Sequence, residues 1–318
     1  MSPRPALGLT RPTTLHQPSF AQLSVFNAVM VTGSVSRAAK LLGMTQSGAS
    51  RMLQQLEQDT GLRLFERAHQ RLTPTQQAHQ LQASVGRLRD AYGAVQRAIG
   101  GLADPDNGTV TVAAIPTQAT TFLPEAIRRL RQRFPGITPS VEILANPPIV
   151  DLVQNGRVDF GLVHDITPSP DTHNEDIGLQ HVVCAAPRGH RFESLDCVTP
   201  QDLKPETFLS YGPQTNFGYL VESAFTEAGI HMPMAVEATS SAALLALIRA
   251  GVGVGLVEPA AIVPFPLDAF VIRPFRPTLC MYSRIIRSRA RPLTRHAELL
   301  IEEYRAVVTG PQPAYFQA

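Results

Sequence analysis

Gln46, Ser47, Ser50, Arg51, Gln54 and Gln58 fall on one side of a helical wheel, opposite Ala49, Met52, Leu53 and Leu56. Amides, hydroxyls and a guanidinium on an exposed helix face match the donors and acceptors that base edges present in a DNA major groove, and the cation also suits phosphate. Such a face needs a frame, and the flanking residues describe one. Leu23, Phe26 and Met30 recur at helical spacing from Phe20, Gly33 stops that helix, and Ser34 is placed to cap the next. The second helix is short, with Ala38, Ala39 and Leu42 expected inward, the paired alanines allowing close backbone approach. Gly43 ends it, and Thr45 caps a third helix running to about Asp59. Two short helices around a glycine turn, the second with a donor-rich face, make a helix-turn-helix.

Beyond Gly61, Leu62 and Leu64 alternate with Arg63, and a polar tip at Ala68-His69-Gln70 leads into Arg71-Leu72-Thr73. This is a hairpin wing, with Arg67 and Arg71 expected near the DNA backbone. From 20 to 75 six basic residues (Arg37, Lys40, Arg51, Arg63, Arg67, Arg71) face three acids (Glu57, Asp59, Glu66), a local surplus compatible with phosphate although the whole chain carries only +2. The candidate DNA contacts are Ser34, Arg37, Thr45, Gln46, Ser47, Ser50, Arg51, Gln54, Arg67 and Arg71.

These residues carry a family resemblance. Gly33-Ser34-Val35-Ser36-Arg37-Ala38-Ala39, then Thr45-Gln46-Ser47-Gly48-Ala49-Ser50-Arg51, Leu56-Glu57, Gly61, Leu64-Phe65-Glu66-Arg67 and Leu72-Thr73-Pro74-Thr75 resemble, in order, the DNA-binding domain of LysR-type transcriptional regulators. The resemblance implies that Gln46, Ser47, Ser50 and Arg51 face the groove and that the wing arginine meets phosphate. Where this chain has Ser47-Gly48-Ala49, the family usually has Pro-Ala-Val.

Thr73-Pro74 reads as the start of a long helix, with Pro at its first position. Leu81, Val85, Leu88, Tyr92, Val95, Ile99 and Leu102 then alternate spacings of four and three, a heptad seam expected to join two copies. The competing reading is one helix packed on its own domain, because Gly86 and Gly93 interrupt the run. Asp104-Pro105-Asp106-Asn107-Gly108 breaks the helix and forms a hinge.

After Gly108 strands and helices alternate: strand 109–115, helix 123–134, strand 138–144, helix 148–155 and strand 158–163, a βαβαβ pattern that implies a parallel sheet. A second unit begins near Cys184, with strand 207–210, helix 217–228, strand 233–238, helix 241–250 and strand 252–257; a strand 279–287 and a helix 292–308 follow. Ligands on such sheets sit beyond strand carboxyl ends, near helix starts. The candidate effector contacts there are Pro116, Thr117, Gln118, Asn146, Gln214 and Thr215 for a carboxylate, with Asp165 and Glu258 as partners for an ammonium or guanidinium. Helix capping is the competing role for each Thr and Gln. The region resembles the family's two-lobed domain, similar to periplasmic binding proteins, in which the chain returns at its end to the first lobe. Val257-Glu258-Pro259-Ala260-Ala261 is similar to the branch that senses opines and amino acids.

The expected organisation is therefore a disordered extension over 1–19, a mostly α winged helix-turn-helix over 20–75, a linker helix and hinge over 76–107, and an α/β effector-binding domain over 108–318. Its first lobe takes about 108–183 and 274–308, its second about 184–273. Hydrophobic residues at 44% and charged residues at 17% supply cores for these units. The expected partners are double-stranded DNA, a small-molecule effector and a second copy through the linker helix, with a tetramer beyond the dimer and RNA polymerase as a further candidate. No cofactor, metal or membrane partner is expected, and the placement is cytoplasmic. Cys184, Cys197 and Cys280 form no CxxC and read as reduced thiols, a redox pair being the alternative. A lone His181-x-x-Cys184 lacks partner ligands, and the Gly251–Gly255 run leads out of a helix, the reverse of a dinucleotide turn. Nothing assembles a catalytic constellation. The rival functions, a solute-binding protein or a small-molecule enzyme on an α/β scaffold, lack respectively an export signal and the chemistry.

Overall fold

The computed structural model describes residues 17–68, 71–104, 106–164, 169–232 and 234–316, and divides the chain into two compact units, one ending at Tyr92 and the other beginning at Gly93. The expected extension over 1–19 therefore lies almost wholly outside the described residues.

The first unit holds α1 (Phe20–Thr32), α2 (Val35–Leu41), α3 (Gln46–Thr60), a hairpin of β1 (Phe65–Ala68) and β2 (Arg71–Pro74), and most of α4 (Gln76–Ala103). Ser19 and Gln22 form a reciprocal capping box on α1, which ends at Gly33 in the left-handed region, φ 65°. Phe26, Val29, Ala38, Ala39, Ala49, Leu53, Leu56 and Leu64 make the core. Leu42, expected inward, is exposed instead: α2 stops at Leu41, so Leu42 is the C-cap residue and leaves the helical period. The two buried alanines, with half-buried Val35, bring α2 against its neighbours.

The long helix also starts later than its sequence suggests. Pro74 is the last residue of β2, opposite Phe65, where a missing N–H is tolerated. Thr75 takes the cap: its hydroxyl accepts from Ala78 N at 3.2 Å and donates to the Arg63 carbonyl at 2.8 Å, tying helix start to wing. Gly86 and Gly93 do not interrupt α4. The seam divides. Val85 is buried and Leu81 half-buried in the first unit's own core, whereas Leu88, Tyr92, Val95 and Ile99 are exposed by 44 to 60%. The side chain of Leu102 lies outside the described residues.

The second unit runs β3 (Gly108–Ala114), α5 (Pro116–Thr121), α6 (Leu123–Arg133), β4 (Ile137–Ile143), α7 (Asn146–Gln154), β5 (Phe160–His164), β6 (Thr172–His181), β7 (Val183–Pro187), α8 (Pro200–Leu203), β8 (Phe208–Tyr211), α9 (Asn216–Glu227), β9 (Met234–Ala238), α10 (Ser241–Arg249), β10 (Val254–Val257), β11 (Phe270–Pro274), β12 (Cys280–Ser288) and α11 (Arg295–Val308). The strands form two five-stranded sheets, ordered β4-β3-β5-β12-β6 and β11-β7-β10-β8-β9, each the centre of a lobe. β3 is parallel to β4 and β5, as the βαβαβ pattern requires, but β12 enters antiparallel between β5 and β6, so the sheet is mixed. The second sheet is mixed too, with β7 antiparallel to β10 and β11.

The chain passes between lobes at His181–Val183 and again between β11 and β12, and the two crossings are joined by Val182 N donating to Leu279 O at 2.8 Å. A third connection follows β10. Ala260 is buried in the first lobe's core and Ala261 in the second's, so the short 3-10 turn Pro259–Ala261 is shared. α5, β6, β7, α8 and β11 have no counterpart in the sequence reading. β6 carries His173, Asn174, Glu175 and Asp176 in a row, without the alternation that marks a half-buried strand.

Candidate functional site

In the first unit Thr45 caps α3: its hydroxyl accepts from Gly48 N at 3.1 Å. A Cβ on Gly48 would lie only 3.0 Å from that oxygen, so glycine lets the cap seat closely. From this start Gln46, Ser47, Arg51 and Gln54 are exposed and Ser50 is half-buried, while Ala49, Leu53 and Leu56 are buried. Arg37 is exposed, and Ser34 caps α2 from the side. Arg67 and Arg71 sit in the hairpin, opposite Leu72 and Ala68, but their side chains lie outside the described residues.

Two of the local acids face inward. Glu57 Oε1 accepts from Leu64 N at 2.7 Å and Phe65 N at 3.1 Å, fixing the root of the wing. Asp59 accepts from Gln22 and Gln55, both at 2.8 Å, joining the start of α1 to the end of α3. The acids are thus occupied on the folding side of the unit. A sequence cannot separate them from surface acids, because apart from Gln55 their donors lie outside α3.

In the second unit Glu258 follows β10 and is 4% exposed. Its Oε1 accepts from the hydroxyls of Thr117 and Ser241, each at 2.6 Å, and its Oε2 lies 3.1 Å from the Tyr211 hydroxyl. The Tyr211 hydroxyl is also 2.5 Å from Ser241 Oγ. Thr117 comes from α5 of the first lobe; the other three come from the second lobe. Burial and the Glu258 charge push the Tyr211 phenol well above its ordinary range, so it remains a proton donor.

Gln118, one residue on, points the other way. It is fully buried: Nε2 donates to Ser283 Oγ at 2.8 Å, and Oε1 accepts from the Tyr304 hydroxyl of α11. Gln180 also donates to Ser283 Oγ, at 2.9 Å, and accepts from Ala260 N at 3.2 Å. The amide of Gln118 is hydrogen-bonded inside the first lobe, away from Glu258, because adjacent helical residues face different sides. Asn146 Nδ2 donates to His164 O at 2.9 Å, closing the end of β5. Pro116 is the exposed first residue of α5. Thr215 caps α9, accepting from Gly218 N at 2.9 Å, and Gln214 is exposed. Among the described residues no hydrogen bond joins Gln214 or Thr215 to Thr117, and Asp165 lies outside the described residues.

The structure therefore brings together Thr117 and Glu258 and adds Tyr211 and Ser241, which the sequence reading missed. Tyr211 is the last residue of β8, one before the Gly212 at which the strand-end candidates began, whereas Ser241 opens α10 after β9, a strand end that supplied no candidate. The three cysteines are free thiols, and burial pushes the Cys184 thiol up, away from the reactive thiolate. Among the described residues no His, Cys, Asp and Glu cluster is arranged to hold a metal, and no helix is long and apolar enough to cross a membrane.

Two family profiles match the chain: the bacterial regulatory helix-turn-helix protein of the lysR family over residues 20–79, and the LysR substrate binding domain over 103–309. The transcriptional activator protein LysR of Escherichia coli K12 is 30% identical over 283 residues, 89% of either chain. The octopine catabolism/uptake operon regulatory protein OccR of Rhizobium meliloti is 31% identical over 254 residues, 80% of this chain and 84% of that one. Full-length CbnR, solved in complex with its target DNA, superposes with a TM-score of 0.72 at 22% identity, covering 91% of this chain and 99% of that one.

Proposed function

The chain belongs to the LysR family of DNA-binding transcription regulators, which respond to small-molecule effectors, and we propose that α3 reads the operator while the lobes hold an amino-acid-like or opine-like metabolite between them. The observation that carries the DNA assignment is the exposed row Ser47, Arg51 and Gln54, spaced four and three along a helix whose opposite face is buried. Base edges are read by such side chains, and Arg37, Arg67 and Arg71 add phosphate contacts in this reading. Ser34, Thr45, Gln46 and Ser50 complete the surface.

For the effector, Thr117 and Glu258 with Tyr211 and Ser241 form the floor of the proposed site, and Pro116, Asn146, Gln214 and Thr215 its rim; Asp165 stays a candidate cation partner from the sequence alone. The relative named for octopine catabolism and uptake supports an opine or amino acid. Two copies join through Leu88, Tyr92, Val95 and Ile99 of α4, since four large apolar side chains on one exposed stripe favour burial by association. A tetramer, contact with RNA polymerase, a cytoplasmic placement and the absence of any catalytic step belong to the same reading.

The test has two parts. Selection from a random duplex library should enrich a sequence whose affinity falls steeply with salt. A thermal-shift panel of amino acids and opines should return a ligand that stabilises by about 2.7 kcal/mol at a hundred times its Kd. A chain that enriches no duplex overturns the α3 assignment; a panel with no stabilising compound overturns the effector class.

A further inference from the structure

We propose that Glu258 selects the charge of the effector: it receives a cationic nitrogen, ammonium or guanidinium, and bars a carboxylate from that end of the site. The inference rests on the reading of the two lobes as the effector domain, and deepens it.

A carboxylate offers about four acceptor positions. Thr117, Ser241 and Tyr211 supply three hydroxyl protons. The Tyr211 proton is contested, because its oxygen is 2.5 Å from Ser241 Oγ and 3.1 Å from Glu258 Oε2. When it goes to the nearer serine, the Thr117 and Ser241 protons both fall on Oε1 and Oε2 has none. Either arrangement leaves lone pairs open on a carboxylate that is 4% exposed. Among the described residues no basic side chain pairs with it. A buried carboxylate without a cation is costly, and a ligand that brings one recovers that cost.

The ring of hydroxyls suits this guest. The Thr117 and Ser241 hydroxyls donate to Glu258, and all three hydroxyl oxygens keep lone pairs with which to accept from an N–H, so an ammonium can be shared between Oε2 and the surrounding oxygens. An incoming carboxylate meets donors already committed and a fixed negative charge. Thr117 comes from one lobe and its partners from the other, so a cation bound here touches both.

The experiment uses the full-length chain and titration calorimetry. The cationic probes are L-arginine, L-lysine and octopine; the probes with a carboxylate and no positive charge are hexanoate and glutarate. The wild type is expected to bind at least one cationic probe and neither of the others. Glu258→Gln should weaken that probe at least tenfold, while Glu258→Asp, which keeps the charge, should weaken it less than threefold. Equal binding by Glu258→Gln, equal loss in Glu258→Asp, or binding of glutarate by the wild type overturns the role of Glu258 and leaves the effector domain standing. Binding of no probe at all overturns the effector class along with it.

Discussion

The two units solve the same problem in opposite ways. In the first, the side chains assigned to recognition stand outside a helix whose other face does the folding: Arg51 and Gln54 are exposed, Leu53 and Leu56 buried. In the second, Thr117, Gln118 and Glu258 are buried and serve as one another's neighbours' hydrogen-bond partners. Recognition and stability are separable on an exposed face. They are coupled in a buried polar cluster, because a polar group removed from water must be bonded whether or not a ligand is present.

The largest effect is expected from α4, where an apolar stripe is exposed and its partner is another chain. Leu88→Asp with Val95→Asp places unpaired charges in the proposed seam and should weaken self-association by at least about a hundredfold. Sedimentation velocity measures it, and an unchanged dimer moves the contact elsewhere. Next comes the coupled side of the comparison. Gln118→Ala strips partners from Ser283 and Tyr304 together, and should cost about 3 kcal/mol in urea unfolding. A loss below about 1 kcal/mol would mean that the buried network is not a structural unit.

The separable side predicts the reverse signature. Arg51→Ala should weaken the selected duplex about tenfold, within the range of one base contact, and leave the melting temperature unchanged. A changed melting temperature with unchanged affinity would put Arg51 in the wrong class. The smallest effect belongs to a surface charge that serves neither task. Hydrogen bonds from Arg128 and Arg129 hold the half-buried Glu125 carboxyl down to about 2 from 4.5. The folded state favours its ionised form, so its contribution is present above pH 4.5 and is lost as pH falls toward about 2. Glu125→Gln should melt within about a degree of the wild type at neutral pH, and any margin should vanish in acid.

The sequence by itself determined the local pieces. Ser34 and Thr45 cap the helices they were expected to cap, and Gly33 and Gly61 end helices in the left-handed region, because capping and turn chemistry act over three or four residues. The α3 face was legible for the same reason: a period of 3.6 sorts buried from exposed without reference to any other element. The seam was half legible. Its period is in the sequence, but only tertiary packing decided that Leu81 and Val85 face the first unit's core while Leu88 to Ile99 stay open. The effector cluster was legible as strand ends and not as a site. Thr117 and Glu258 are 141 residues apart, and Gln118 meets Ser283 across 165. No local signal tells Thr117 from Gln118, adjacent polar residues in one helix; the insertion of β12 between β5 and β6 and the shared turn after Glu258 decide which of them faces the other lobe. Caps and periods are properties of the chain's near neighbours, whereas the partner of a buried carboxylate is a property of how the sheets close.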